Sequence, residues 1–547
     1  MKKIFSAGCA LLATLLFCAH SRHSGKQLPE LPPPHLSLVL APLDSRPVCG
    51  EMPQELGKLA GITVILPPKE LLDNYKLPAD TKKLFAWLKQ SLPTADAGII
   101  STDLFIHGGL LHGRQNKLSE EEYTNALNIL EQTLLPAAAK DVAVFSVIPR
   151  LLVSDELLPD RWYQYQLLRY SKFFDMAELF GDYLITEQLQ DSIAKIPPPI
   201  LTKYAKLYQS NYFLNQRLLE RKLPHHTVCI GQDDGAPFGL PHRSAQQLET
   251  LIAASDKDKL YLTYGADELA SLLLTRFYLR TSRYRPKILL KYADTSVEFL
   301  HMPYMPASIG EVLRNQLTLL EIDEAASTAD ADIICYISCG NERYKPSLKQ
   351  EEELRSLAAT GKSLALLDLS ENFSTEELLL PLLLQKNFPL TKLSSFSGWN
   401  TFSNSSGSLL SQAIIFSGQA NRLPFEMLPT LYAENLRFTC KRILEDYFYQ
   451  KVCHPELRET LLRAGSDPAD LEEQERLEVE RELQGKIAWE CEKLLWQNLS
   501  REPFYTQRKT NYYLSDLRAG VYLPWNRIFE IGLQIYTETE VKKATDF

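Results

Sequence analysis

The sequence of 547 residues lacks most features that assign a protein to a class quickly. It has no block of basic residues, and 68 acidic against 59 basic side chains give a formal charge of −9, which argues against a nucleic-acid partner. It has no low-complexity tract and no usable internal repeat. At this length, and with 45% hydrophobic residues, we expect a globular protein of two or three domains.

Cysteine is scarce and unpatterned. The nine cysteines include no CxxC pair, so neither a zinc ribbon nor a disulfide framework is indicated. A disulfide between Cys440 and Cys453 is left open by the sequence.

The common catalytic signatures are absent as well. There is no HExxH, no Walker loop, no GxSxG and no complete GxGxxG. Hydrolysis by a Ser-His-Asp triad is therefore disfavoured, and no cofactor is predicted.

The amino terminus has the order of residues that is typical of an export signal. Two lysines precede the apolar run 10–17, and small residues suited to cleavage follow it. We predict a signal peptide over residues 1–21 and a Pro-rich linker over 22–35. The protein is then exported, either periplasmic or secreted, and lipidation at Cys18 is the alternative that would anchor it to a membrane.

Short strand-like runs alternate with amphipathic helices along much of the chain. Two of the helices begin with capping boxes, formed by Ser119 with Glu122 and by Ser308 with Glu311. Strands that alternate with helices indicate parallel sheets. We therefore predict an α/β fold whose parallel sheets are either doubly wound or closed as a barrel.

The same patterns divide the mature chain into three regions. Residues 36–285 are predicted to form an N-terminal α/β domain with a helical insertion at 151–223. Residues 286–422 form a second α/β domain, and residues 423–547 a mainly helical region. Near the end of that region, the aromatic and polar residues 522–529 are predicted to dock back on the sheet.

Polar side chains recur where the predicted strands end. Two strand ends carry acidic pairs, Asp233 with Asp234 and Asp267 with Glu268, and an earlier one carries Asp103. Each acid alone could simply cap a helix or hold a turn. Their repetition at one sheet edge, where parallel α/β folds bind ligands, favours a shared site and makes these five the predicted catalytic residues.

The predicted substrate-binding residues also lie near strand ends. We expect at least four of six carboxyl groups, those of Asp44 and the five acids above, to line one cleft together with Arg46 or Arg150. The substrate-binding set is Asp44, Arg46, His107, Arg150, Trp399, Asn400 and Asn404.

Paired carboxyl groups beside aromatic and amide side chains suit sugar chemistry, because one carboxyl can protonate a glycosidic oxygen while another attacks or activates water. The sequence therefore predicts an exported hydrolase, in the first place a glycoside hydrolase, that acts on a carbohydrate or another small polar substrate without a metal. Two alternatives remain open. Asp103, His107 and His112 have a spacing that could bind a metal in a metal-dependent hydrolase. Trp399 and the tyrosines could instead serve a non-catalytic glycan-binding envelope protein.

Five ordered motifs resemble the bacterial family filed as domain of unknown function four-one-two-seven. The resemblance runs from about residue 36 to at least residue 420 and is expected to reach residues 523–527. The resemblance implies that the residues of these motifs are important for the protein. It does not imply any particular activity, because none is assigned to the family. One departure is the turn 404–407, Asn-Ser-Ser-Gly, where Asn-Thr-Leu-Gly is expected. The five motifs are LDSRP at 43–47, DLFIHGGL at 103–110, GQDD at 231–234, YGADE at 264–268 and GWNT at 398–401.

Overall fold

The computed structural model describes residues 28–115, 118–152, 161–221, 226–256 and 258–543. The predicted signal peptide, Cys18 and the first part of the linker lie outside these ranges. So do residues 153–160, 222 and 223 of the predicted insertion.

Six parallel strands form the first sheet, in the order β2-β1-β3-β4-β5-β6. β3 and β5 are buried along their whole length because helices cover both faces, as is usual for parallel sheets. The strands are β1 (Leu36–Ala41), β2 (Ile62–Ile65), β3 (Ala97–Ser101), β4 (Asp141–Ile148), β5 (Thr227–Gln232) and β6 (Leu260–Tyr264).

Five parallel strands form the second sheet, in the order β11-β10-β9-β7-β8. Read from β8, this is the order of the first five strands of the first sheet, with the second strand outside the first. Both sheets are therefore open and doubly wound, so the barrel alternative does not apply. The strands are β7 (Lys287–Tyr292), β8 (Asp323–Glu324), β9 (Ile333–Gly340), β10 (Ser363–Ser370) and β11 (Leu393–Ser397).

Helices connect the strands of both sheets. Both predicted capping boxes are confirmed: the backbone N–H of Ser119 donates to Glu122 and that of Ser308 to Glu311, each over 2.8 Å. The α-helices of the two sheet regions are α1 (Glu51–Ala60), α2 (Thr81–Ser91), α3 (Thr102–His107), α4 (Leu110–Gly113), α5 (Glu120–Leu134), α6 (Arg161–Phe180), α7 (Tyr183–Ala194), α8 (Pro198–Glu220), α9 (Leu240–Ala253), α10 (Leu269–Ser282), α11 (Ile309–Leu320), α12 (Leu348–Ala358), α13 (Leu380–Gln385) and α14 (Phe402–Arg422).

Helices α6 to α8 are the predicted insertion, and they have a hydrophobic cluster of their own. Two hydrogen bonds attach this insertion to the end of β4. Asn211 donates to the Val147 carbonyl over 2.9 Å, and the Tyr208 hydroxyl donates to the Arg150 carbonyl over 2.7 Å. The insertion thus fixes the backbone that carries Arg150.

The C-terminal region is helical at first and then forms a small antiparallel sheet that the sequence patterns did not indicate. The segment between β13 and β14 contains residues 523–531 and docks on the first sheet, as predicted for this island: the Trp525 indole N–H donates to the Ser45 hydroxyl over 2.9 Å. The elements are α15 (Leu428–Arg442), a π-helix (Ile443–Cys453), α16 (His454–Ala464), α17 (Glu473–Leu494), a second π-helix (Leu495–Leu499), β12 (Tyr505–Gln507), β13 (Thr510–Tyr522) and β14 (Gly532–Lys543).

One hydrophobic core joins the two sheets. Helices α10 and α14 pack against each other, and Leu272 and Ile414 are buried in the same cluster as Leu38 of β1 and Ile333 of β9. Each fully buried side chain of this kind contributes roughly 1.5–3 kcal/mol. The strand ends of both sheets are consequently held in a fixed relation.

The seven cysteines of the described ranges are all buried free thiols, so no disulfide joins Cys440 to Cys453. Among the described helices, none has both the length and the apolar composition that crossing a bilayer requires.

Candidate functional site

A cleft with a volume of about 250 Å³ opens at the carboxyl edge of the first sheet. The loop after β11 and the docked segment 523–531 form its remaining walls. Eight of the twelve predicted site residues line it, including four carboxyl groups and both expected arginines. The lining residues are Arg46, Leu110, Leu111, Arg114, Arg150, Asp233, Asp234, Gly265, Ala266, Asp267, Glu268, Asn400, Thr401, Ser403, Asn404, Trp525, Arg527 and Phe529.

Arg46 is the buried centre of one wall. Its Nε and Nη2 donate to the two oxygens of Asp44 over 3.0 and 2.7 Å. Its Nη1 and Nη2 donate to the two oxygens of Asp267 over 3.1 and 2.5 Å. Two forked pairs of this kind fix the guanidinium plane and, through it, the Asp267 carboxyl.

Burial raises the pKa of Asp267, while Arg46 opposes this effect and favours its ionised form. Asp44 is fully buried, and its pKa is lowered because the interactions with Arg46 outweigh desolvation. Asp44 does not line the cleft. The structure places Asp44 behind Arg46, which it holds, and a contact of Asp44 with substrate stays a prediction.

Asp233 and Asp234 follow β5 directly. Their backbone is held by β4 and by the loop after it, because the Asp233 N–H donates to the Ile148 carbonyl over 3.1 Å and the Leu151 N–H donates to the Asp234 carbonyl over 2.8 Å. The Asp233 carboxylate accepts a hydrogen bond from Arg114 Nη2 over 2.6 Å. Asp234 faces Arg150 Nη1 at 3.9 Å.

The pKa values of the two neighbouring carboxyls are shifted in opposite directions. Burial acts on both, but Arg114 and Arg150 outweigh it and lower the pKa of Asp233. For Asp234, burial and the charge of Asp233 raise the pKa to about 7. Carboxyls whose environments separate their pKa values in this way are typical of an acid and a base in one active site.

Glu268 lies deepest and has no exposed surface. Neither of its carboxyl oxygens makes a hydrogen bond of normal geometry to a described residue, although the Ser403 hydroxyl lies beside it. Gly265, at φ +100°, and Gly407 leave room for this side chain, since a Cβ at either position would clash with it. Burial raises the pKa of Glu268 to about 8.

The loop after β11 and the first turn of α14 supply the amide groups of Asn400 and Asn404. Asn404 Nδ2 reaches Asp267 Oδ2 at 3.5 Å, and Asn400 adopts a left-handed backbone at φ +62°. Trp399, next to Asn400, is only 2% exposed and belongs to the core. Trp399 is thus outside the cleft lining, and its contact with substrate stays a prediction. Phe529, whose ring lies 6.1 Å from that of Trp399, lines the cleft in its place.

A buried ionic group lies behind this loop. Asp446 accepts hydrogen bonds from the Gly398 N–H over 2.8 Å and from the Ser397 hydroxyl over 3.2 Å. Arg442 donates to Asp446, and to Glu445 over 2.9 Å. The π-helix that contains both acids thus sets the path of the Asn400 loop.

Asp103 and His107 do not line the cleft, contrary to prediction. Asp103 accepts from the Val147 N–H over 3.1 Å, and burial raises its pKa to about 7. His107 packs edge-on against Tyr123, and burial lowers its pKa to about 4. Helix α3 turns both side chains into the fold, where they support the edge of the sheet.

The alternative metal set is not assembled. His112 Nε2 lies 3.2 Å from the Lys76 carbonyl. Within the described ranges, no group of three or more His, Cys, Asp or Glu side chains has an arrangement that could hold a metal ion.

Several lining residues were missed by the sequence analysis. Arg527 stacks on Trp525 at 4.5 Å and on Phe529 at 5.0 Å, and its Nη2 donates to Glu530 over 2.8 Å. The aromatic island at 522–529 was recognised in the sequence. Its neighbouring residues, however, gave no indication that it would form a wall of this cleft. Arg114, at the end of α4, has no recognisable pattern around it.

The fold and the cleft define an α/β protein in which two doubly wound sheets share one core and an acid- and arginine-lined cleft. The chain belongs to the family described as Protein of unknown function (DUF4127), whose sequence profile matches residues 38–534. This range includes all five motifs and the docked segment, as the resemblance implied. A comparison with curated proteins and one with solved structures each find no match.

Proposed function

We propose that the protein is a hydrolase of glycosidic bonds and that the cleft is its active site. The observation that carries this proposal is the pair Asp233 and Asp234, neighbouring carboxyls in one cleft whose pKa values are shifted in opposite directions. A carboxyl with a pKa near 7 is suited to donate a proton at neutral pH.

In this proposal Asp234 donates its proton to the glycosidic oxygen as the bond from the anomeric carbon to that oxygen breaks. Asp267, which accepts two hydrogen bonds from Arg46, acts in its ionised form and either attacks the anomeric carbon or takes a proton from the attacking water. Asp233, whose pKa is lowered, carries the charge that helps burial to raise the pKa of Asp234. Water supplies the hydroxyl of the new reducing end in either case.

The other walls suit a sugar. Phe529 is 40% exposed and can stack on the apolar face of a pyranose ring. Asn400 and Asn404 supply amide groups for hydroxyls, and Arg150, about one-third exposed, can donate to them as well. Polar groups that converge beside an aromatic wall are usual in small-molecule sites.

The test is hydrolysis of a panel of end-labelled oligosaccharides, with the products identified by mass spectrometry. We expect the folded wild type to cleave at least one linkage with uptake of one water, and Asp234→Asn and Asp267→Asn to lose this activity. Cleavage at wild-type rates by both variants would contradict the assignment. Binding of the oligosaccharides without cleavage would instead favour a glycan-binding protein.

We further propose export of the protein, from the signal-like residues 1–21. Amino-terminal sequencing of the mature protein should then begin near residue 22, or at Cys18 if the protein is lipidated. A mature protein that begins at Met1 would contradict this proposal.

A further inference from the structure

A second cavity, of about 580 Å³, lies against the cleft between the first sheet and the C-terminal region. The two cavities share part of their walls, so a ligand in one can extend into the other. We refer to this second cavity as the vestibule. The shared residues are Leu111, Arg114, Arg150, Arg527 and Phe529.

The vestibule differs from the cleft in charge. Four arginines and four carboxyls line the cleft, which is therefore nearly balanced. Five basic side chains line the vestibule, against only the carboxyls of Asp467 and Asp470. An excess of one sign of charge in the wall of a cavity concentrates ligands of the other sign. The five basic residues are Lys76, Arg114, Arg150, Arg458 and Arg527.

The two acids of the vestibule are already engaged. Asp470 pairs with Lys76 over 2.6 Å, and Asp467 accepts from the Ala469 N–H over 2.9 Å. Arg458 is exposed on α16 and makes no ion pair with any residue of the described ranges. Beside it, the pKa of His454 is lowered to about 4 by burial and by Arg458, so this imidazole is neutral at pH 7.

The shared wall also contains a preorganised donor. Arg114 is only 6% exposed, yet its Nε is buried without a hydrogen-bond partner in the described structure. Arg527 is fixed between aromatic rings and Glu530. Rigid guanidinium groups bind the paired oxygens of carboxylate, sulfate or phosphate with little loss of side-chain entropy.

We propose that the vestibule is a subsite for an anionic group of the substrate, and that the substrate is therefore an acidic oligosaccharide. This inference rests on the proposed function, because the vestibule opens into the proposed active site. A sugar bearing carboxylate or sulfate would place its neutral ring in the cleft and its anionic group among Arg114, Arg150 and Arg458.

The test compares the binding of three oligosaccharides of equal length, one neutral (cellohexaose), one with carboxylates (hexagalacturonate) and one with sulfates (sulfated cellohexaose), by calorimetry. Inorganic phosphate serves as a competitor. We expect the acidic ligands to bind more tightly, with an affinity that falls as salt rises. Whichever acidic ligand binds better identifies the anionic group.

Arg458→Ala should weaken binding of the acidic ligand about 2- to 5-fold, as expected for an exposed charge contact, and leave cellohexaose unchanged. The matched control is Arg463→Ala, which removes an exposed arginine from the same helix outside the vestibule. Equal affinity for neutral and acidic ligands, or equal weakening by both variants, would overturn the subsite. Charge-selective binding without any cleavage would uphold the subsite and contradict the glycoside hydrolase.

Discussion

The two sheets have the same strand order, but they use the acids at their carboxyl edges differently. At the edge of the first sheet, Asp233 and Asp267 are held by the side chains of Arg114 and Arg46 and line a cleft. At the edge of the second sheet, Asp368 accepts from the backbone N–H groups of Leu379 and Leu380 over 2.9 and 2.7 Å. It is 2% exposed and lines neither the cleft nor the vestibule.

The difference shows that an acid at a strand end is not evidence of a site by itself. Both Asp234 and Asp368 have a raised pKa, to about 7 and about 6, and burial is the main cause in each case. What separates them is the partner of the carboxyl oxygens. The oxygens of Asp368 accept from backbone N–H groups inside the fold, whereas Asp234 faces the Arg150 side chain in a cleft that a ligand can reach.

The largest expected effect is on turnover in Asp234→Asn. The amide keeps the size of the side chain but cannot donate a proton as a carboxylic acid does, so kcat should fall about 10²- to 10⁴-fold. Thermal unfolding should be nearly unchanged, because the nearest cation, Arg150, lies 3.9 Å away. A melting temperature that falls with the activity would mean that Asp234 is structural, like Asp368.

The converse change at the second sheet is Asp368→Ala. It leaves two buried N–H groups without an acceptor and should lower the free energy of unfolding by about 1–3 kcal/mol for each. Urea denaturation measures this loss. Turnover per folded molecule should equal that of the wild type, and a loss of turnover in fully folded protein would remove the distinction between the two edges.

A smaller effect is expected on the pH dependence of the free energy of unfolding, through Glu268 at the edge of the first sheet. The pKa of Glu268 in the folded protein, about 8, lies above its ordinary value of 4.5, so the folded state binds the proton more tightly. Its stabilising contribution is therefore complete below about pH 4.5 and is lost as pH rises through 8, at no more than about 1.4 kcal/mol per pH unit.

Glu268→Gln removes this titration. Between pH 5 and pH 8.5, denaturation midpoints of the variant should therefore fall less than those of the wild type. The difference in the free energy of unfolding should be at most about 1.4 kcal/mol per pH unit. Parallel curves for the two proteins would show that Glu268 does not titrate in this range and would contradict the buried, unpaired carboxyl.

The smallest expected effect is that of chelation. A glycoside hydrolase that uses carboxyls alone needs no ion, so prolonged dialysis against a chelator should leave turnover unchanged. Asp103→Asn is the companion variant, because Asp103 belongs to the alternative metal set. Its turnover should likewise not depend on chelation. Loss of activity on chelation with recovery on adding zinc or manganese would restore the metal-dependent alternative.

Local sequence signals predicted the fold well. Capping boxes at Ser119 and Ser308 and the alternation of strands with helices depend on neighbouring residues, and the structure confirms both. The antiparallel strands β13 and β14 were missed, although exposed and more buried positions alternate along most of β14.

The sequence predicted the acids that line the cleft, but it did not predict several of the other lining residues. Acids at strand ends converge because the topology brings them together, so Asp233, Asp234, Asp267 and Glu268 could be found from the sequence. Arg114 and Arg527 reach the cleft from distant parts of the chain, and no local pattern marks them. Trp399 does not line the cleft, whereas its neighbour Asn400, which has a left-handed backbone, does. The sequence does not reveal this change of direction.

The opposite pKa shifts of Asp233 and Asp234 at the edge of the first sheet can be measured without a substrate. Carboxyl-carbon NMR of the aspartates, with Asp234→Asn for assignment, measures the pKa of Asp234 directly. We predict that the pKa of Asp234 is about 7 in the wild type. In Asp233→Asn this pKa should fall but stay above 3.8, because Asp234 remains buried. A pKa near 3.8 that is unchanged in Asp233→Asn would contradict the account.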